Sequence, residues 1–173
     1  MKFKTLKEEK VLAMLNSVCR IKTLSTAELE NFIQSYEVFS RQFMHPKEWF
    51  TTKNTAVMHT LEYMFEHHRE RPSLKAVAEE MGKTRSWLSH MIIEECGMSY
   101  TDMLALVRVA EFINLLKEND ISISCMSYDL GFEDAYSLCR VFKSVTGLTA
   151  KTYRKWSLKV EKVKMELGRR KRL

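Results

Sequence analysis

The chain repeats itself, and that repeat limits what it can become more than any other feature. Val77, Ala78 and Gly82 recur as Met126, Ser127 and Gly131 at an offset of 49. Leu88, Ile92, Gly97 and Met98 recur as Leu138, Phe142, Gly147 and Leu148 at an offset of 50. Chance similarity between amphipathic helices matches apolar positions, but seldom also both glycines and the small residue four places before the first. One supersecondary unit is therefore built twice, with one residue inserted in the second copy.

The spacing inside each copy is helical. Apolar residues recur at three and four, and polar caps stand where those runs begin. Ser73 is placed to cap "LKAVAEEM", which Gly82 ends; Thr84 caps "RSWLSHMIIEEC", which Gly97 ends. Ser99 and Asp102 open a long helix that carries Met103, Leu106, Val107, Ala110, Ile113 and Leu116 on its core face. Ahead of the repeat, Val11, Leu12, Leu15, Val18 and Cys19 predict one helix. A capping box of Ser25 and Glu28 predicts a second, with Leu29, Phe32, Ile33, Tyr36 and Phe39 on its apolar face and an end before His45 and Pro46. Asn54 or a nearby Thr caps a third, with Val57, Leu61, Met64 and Phe65 facing inward before Pro72. Only five Gly and two Pro in 173 residues leave few places to turn, which favours helices over a many-stranded sheet.

The expected fold is all-α: two helix-turn-helix subdomains joined by a long linker helix, with a short helical N-terminal extension. The extension occupies 1–50 and the doubled domain 54–157, with its first unit at 73–97, its linker at 100–118 and its second unit at 122–147. A basic C-terminal tail follows at 158–173.

Catalytic and metal chemistry find no foothold. Cys19, Cys96, Cys125 and Cys139 form no CxxC pair, and no two of His59, His67 and His68 have the i, i+4 spacing of helical metal ligands. GxSxG, P-loop and GxGxxG patterns are missing, so neither an enzyme nor a cofactor is expected. No apolar run reaches the ~18 residues that span a bilayer, and charges interrupt "MKFKTLKEEKVLAML" too often for a secretory signal. The expected location is the cytoplasm.

Charge is distributed unevenly. The net charge is +6, but residues 135–173 carry +10 and the remainder −4. Concentrated positive charge suggests a polyanion partner, nucleic acid or an acidic membrane surface. The tail lacks the apolar face of an interfacial helix, which weighs against a membrane.

Each repeated unit reads as a short helix, a tight turn and a helix of about twelve residues. When Leu88 and Ile92, or Leu138 and Phe142, anchor the second helix by its buried face, the opposite face is left for solvent or DNA. A DNA major groove admits one α-helix, read by residues in that helix's N-terminal half. Those positions are Arg85, Ser86, Ser89 and His90 in the first unit, and Ala135, Tyr136, Cys139, Arg140 and Lys143 in the second. Lys83, Thr84, Lys151, Arg154 and Lys155 are candidate phosphate contacts. Arg140 suits bidentate bonding to guanine.

The stretch "LGFEDAYSLCRVFKSVTGLTAKTYRKW" resembles the second helix-turn-helix of AraC/XylS-type transcription regulators. Gly131, Phe132, Asp134, Arg140, Phe142, Lys143, Gly147, Tyr153 and Arg154 fit that pattern, and residues 73–104 look like the family's first unit. The resemblance implies a bacterial, nucleoid-associated regulator of transcription whose two recognition helices enter adjacent major grooves of double-stranded DNA. It also implies an activator working beside RNA polymerase. The sequence departs from the pattern in three places: Thr149-Ala150 replaces Ser-Pro, Tyr136-Ser137-Leu138 replaces Ser-Tyr-Phe, and residues 73–118 carry a net −2. The acidic first unit motivates a second reading, a protein-interaction module that acts as co-regulator or antagonist of another regulator. Phe32, Tyr36 and Phe39 could serve self-association or dock a regulatory protein, but packing on the DNA-binding domain is the preferred expectation.

Overall fold

The computed structural model describes residues 8–43, 48–118 and 121–172. His45, Pro46 and the side chain of Cys19 lie outside the described residues. Nine α-helices appear among those described: α1 (Glu8–Ser17), α2 (Thr26–Arg41), α3 (Thr55–His67), α4 (Leu74–Glu80), α5 (Arg85–Cys96), α6 (Tyr100–Glu118), α7 (Ile123–Asp129), α8 (Ala135–Thr146) and α9 (Ala150–Arg170). The described residues contain no strand.

The caps follow the sequence closely. Ser25 and Glu28 form the reciprocal capping box of α2. Asn54 accepts from the amides of Ala56 and Val57 at 3.1 and 3.3 Å. Thr84, Ser122, Asp134 and Thr149 each accept the amide three residues on. Ser73 departs from expectation: it occupies the N-cap position of α4, but its side chain makes no capping bond. A seven-residue helix with an unfilled cap depends on packing, which Leu74, Val77 and Ala78 supply from its buried face.

The two units coincide in their turns. Lys83 N–H donates to the Ala78 carbonyl at 2.8 Å, and Phe132 N–H to the Ser127 carbonyl at 2.9 Å. Gly82 and Gly131 hold φ of +64° and +75°, the left-handed geometry that closes such a helix end. The first cap, Thr84, follows its glycine by two residues; the second, Asp134, follows by three. Glu133 is the inserted residue that shifts the repeat from 49 to 50.

Two hydrophobic cores result, and α6 runs through both. Val57, Leu61, Met64, Val77, Leu88 and Ile92 close around Met103 and Val107. Leu138, Phe142, Tyr153 and Trp156 close around Val109, Phe112 and Ile113. The N-terminal helices join this second core: Phe32, Tyr36 and Phe39 are buried. The Tyr36 and Phe39 rings stand 5.3 and 5.6 Å from Trp156. The Tyr153 hydroxyl sits 2.8 Å from Ser40 Oγ and 3.1 Å from Tyr36 Oη, so the buried hydroxyls satisfy one another. The aromatic stripe therefore packs on the doubled domain.

The basic tail expected at 158–173 takes a different form, because residues 158–170 continue α9. Val160, Val163 and Leu167 recur at helical spacing and are buried in the second core. Arg170 donates to the carbonyls of Leu24 and Ile21 at 2.7 and 3.1 Å, which ties the end of α9 to the point where the 3-10 turn of Val18–Thr23 meets α2. Lysine and arginine stems cover apolar surface while their charges stay wet, so high charge did not prevent docking.

Trp156 is fully buried among Tyr36, Phe39 and the α9 core. Trp156→Ala is expected to lower the unfolding free energy by about 3–5 kcal/mol through cavity formation, read as a shift of the urea midpoint.

Candidate nucleic-acid interface

Helix α8 is divided lengthwise. Leu138, Phe142 and Thr146 are buried, whereas Tyr136, Arg140, Lys143 and Ser144 are exposed. Tyr136 is 75% exposed, an unusual placement for an aromatic ring on a helix whose other face fills a core. Two sequence-predicted residues sit at the margin: Ala135 and Cys139 are half-buried, and Cys139 packs against the second core. Burial pushes the Cys139 thiol up, so it remains a neutral, inward-leaning group.

Helix α5 presents a corresponding face of different chemistry. Arg85, Ser86 and His90 are exposed and Ser89 is half-buried, while Leu88 and Ile92 are buried beneath them. His90 lies 3.9 Å from Glu94, and Glu95 accepts a hydrogen bond from Thr52 at 2.5 Å. The second half of this helix is therefore acidic, where α8 carries Arg140 and Lys143. Trp87 is 39% exposed with the Lys83 ammonium 5.2 Å from its ring centroid. Sequence reasoning missed Trp87 as a surface group. The signal was available, because the 50-residue offset aligns it with Ser137 and not with an apolar position.

The five candidate phosphate contacts divide into two sets. Lys83, Lys151 and Lys155 are exposed, and Thr84 is exposed but spends its hydroxyl oxygen on the Trp87 amide at 3.2 Å. Arg154 is half-buried: its Nη2 donates to the Ile121 carbonyl at 2.9 Å and lies 4.0 Å from Met126 Sδ. It joins α9 to the segment leading into α7. Among the described residues no group of three His, Cys, Asp or Glu side chains is placed to hold a metal ion. No described helix is long and apolar enough to cross a membrane.

Asp134 fixes the start of α8. The Ser137 amide donates to its Oδ1 at 2.6 Å. That bond, followed by the Ser137 hydroxyl, holds the Asp134 carboxyl below its ordinary value. A depressed folded pKa adds stability above the unfolded value, and that contribution is lost as pH falls through the folded one. As pH falls through and below the ordinary carboxylate range, the wild-type urea midpoint should therefore fall further than that of Asp134→Asn, which caps without the charge. Equal falls would remove this role from Asp134.

Comparison with known proteins bears on this geometry. The profile of a family described as a helix-turn-helix domain matches residues 77–155. An uncharacterized HTH-type transcriptional regulator of Staphylococcus aureus is 31% identical over 93 residues, which is 54% of this chain and 12% of that protein. The chain thus spans about an eighth of the length of that relative. A transcriptional regulator from Chromobacterium violaceum, described among AraC-type DNA-binding domain-containing proteins, superposes with a TM-score of 0.55 at 17% identity, covering 59% of this chain and 91% of that one. The DNA-binding domain of the global transcriptional factor AdpA, solved in complex with a target DNA, gives 0.54 at 20% identity, covering 58% and 91%. At these identities the structural likeness is one of fold. Residues 77–155 thus match a helix-turn-helix profile, and the fold they build, with its doubled unit and paired turn glycines, is similar to that of AraC-type DNA-binding domains.

Proposed function

We propose that this protein is a sequence-specific, double-stranded DNA-binding regulator of transcription that reads two adjacent major-groove segments with α5 and α8. The observation that carries this reading is the solvent face of α8, where Tyr136, Arg140 and Lys143 stand exposed on a helix anchored from behind by Leu138 and Phe142. Arg140 is the base-reading residue, since a guanidinium can bond guanine O6 and N7 together. Ala135 and Cys139 flank it as close apolar neighbours of the base edges. On α5, Arg85, Ser86, Ser89 and His90 take the equivalent places. Their acidic surroundings make that half-site the weaker, because phosphate attraction supplies much of DNA affinity.

Lys151 and Lys155 hold the backbone beside the second half-site, with Lys83 and Thr84 beside the first. Arg154, turned toward Ile121, contributes by holding α9 in place. The relative solved on a target DNA supports this reading through its fold. Within it, the protein is an activator that works beside RNA polymerase on the nucleoid in the cytoplasm. The solvent-facing sides of α1 and α2 are the surface for a regulatory protein or for self-association, since their aromatic stripe is already spent on α9.

Two substitutions separate base reading from phosphate attraction. Arg140→Ala should cost about 1–3 kcal/mol on a selected duplex and far less on random DNA. Lys155→Ala should weaken both alike and reduce the slope of log K against log salt by about one. Equal losses on selected and random duplex for Arg140→Ala would take base reading away from that side chain.

A further inference from the structure

The two turn glycines occupy equivalent places in the repeat but unlike surroundings. A Cβ added at Gly82 would meet nothing within 4 Å. One added at Gly131 would lie 2.5 Å from the Arg69 carbonyl oxygen and 2.8 Å from Arg108 Nη2. Gly82 is thus required by its positive φ alone, whereas Gly131 also leaves room for another part of the chain. That part is the segment after α3, residues 68–72, which leads directly into the first unit, together with the middle of α6.

The contacts at this junction are polar and convergent. Arg71 Nε donates to the Gly131 carbonyl at 3.0 Å, and its Nη1 lies 3.6 Å from the carboxylate of Glu133, the inserted residue. Arg108 is 9% exposed; its Nε donates to the His68 carbonyl at 2.7 Å and its guanidinium carbon lies 5.3 Å from the Phe132 ring centroid. His68 Nε2 and Arg69 both meet the Glu111 carboxylate on α6. The Tyr100 hydroxyl donates to the Pro72 carbonyl at 3.2 Å. Arg71 is the one described non-glycine residue with positive φ, at +58°. Backbone held in that region by a side chain's contacts marks a geometry the surroundings impose.

We propose that this junction is a latch: Arg71 and Arg108 are positioning residues that fix the second helix-turn-helix unit against the first and so set the half-site spacing the chain accepts on DNA. A helix shared by two cores resists bending but leaves its partners free to rock about it. The latch removes that freedom at the residue that matters, since Gly131 precedes the α8 cap, Asp134, by only three positions. Linked half-sites gain affinity only where the geometry lets both engage at once, and inserting one base pair rotates a half-site by about a tenth of a turn. A latched chain therefore rejects mis-spaced sites, and an unlatched one tolerates them. The spacing claim rests on the DNA-binding reading; the latch itself does not.

The test uses the full chain with spin labels on unnatural ketone side chains at positions 86 and 144, both exposed, which leaves the native cysteines in place. Arg71→Asn removes the guanidinium while keeping a residue that tolerates positive φ. Arg108→Met keeps a buried apolar stem. Wild type should give one narrow inter-label distance distribution, and each variant that retains a cooperative melting transition should broaden it about twofold. On a duplex enriched from a random pool by the wild-type chain, one base pair added or removed between the half-sites should cost wild type roughly tenfold in affinity and Arg71→Asn under roughly threefold, with single half-site affinities matched. Unchanged distance distributions in both variants would overturn the latch, as would unchanged spacing preference. Failure of the wild type to enrich any duplex would instead defeat the DNA-binding reading, with the distance measurement still deciding the latch.

Discussion

Everything in this fold leans on the burial of one helix by two others' worth of structure. From Leu104 to Ile113, α6 has almost no solvent-facing side: Leu104, Leu106, Val107, Arg108, Val109, Ala110, Phe112 and Ile113 are all buried. A helix apolar around most of its circumference cannot sit on a surface. It must be wrapped, and the doubled unit wraps it, one copy around each end. Neither copy has enough apolar area of its own to close a core without it, as is usual for small helical units.

Arg108 sits at the midpoint of this helix, where the two cores meet and a purely apolar seam would have left the units free to slide. Burying a guanidinium is costly unless it is bonded; its Nε bonds the His68 carbonyl, just ahead of the first unit, and its face meets the second unit's Phe132, while Nη2 is buried without a hydrogen-bond partner. The polar junction sacrifices some stability for a defined relative orientation, a trade seen where buried polar groups specify register. The N-terminal helices extend the same logic at the other end of the molecule. They give α9 a second apolar neighbour and allow a helix with many lysines to remain ordered through Arg170.

Much of this was legible in the primary structure. The repeat, the capping residues, the turn glycines and the boundaries of α4 to α8 follow from local chemistry, and local chemistry is what a sequence displays most directly. The buried anchors Leu88, Ile92, Leu138 and Phe142 were legible for the same reason, as was the exposed face of Arg140 and Lys143. Ser73 reads as a cap, yet its side chain makes no capping bond, because cap identity does not guarantee cap geometry. Trp87 was overlooked because an aromatic residue in an amphipathic stretch is normally core. The C-terminal segment reads as a tail because its charge density masks the Val160, Val163 and Leu167 spacing beneath it.

The sequence by itself determined that the chain is helical, that it is built from one unit used twice, and which side of each second helix is anchored. Those are matters of period, capping and φ, set by residues close together along the chain. Tertiary structure alone decided that the N-terminal helices join the second core, that Arg154 and Arg170 bond backbone carbonyls of distant segments, and that Gly131 admits Arg69 and Arg108 where Gly82 admits nothing. Each of those depends on groups separated by 23 to 149 positions in the chain. No local pattern records such partners, because their meeting is fixed by how two cores share a single helix.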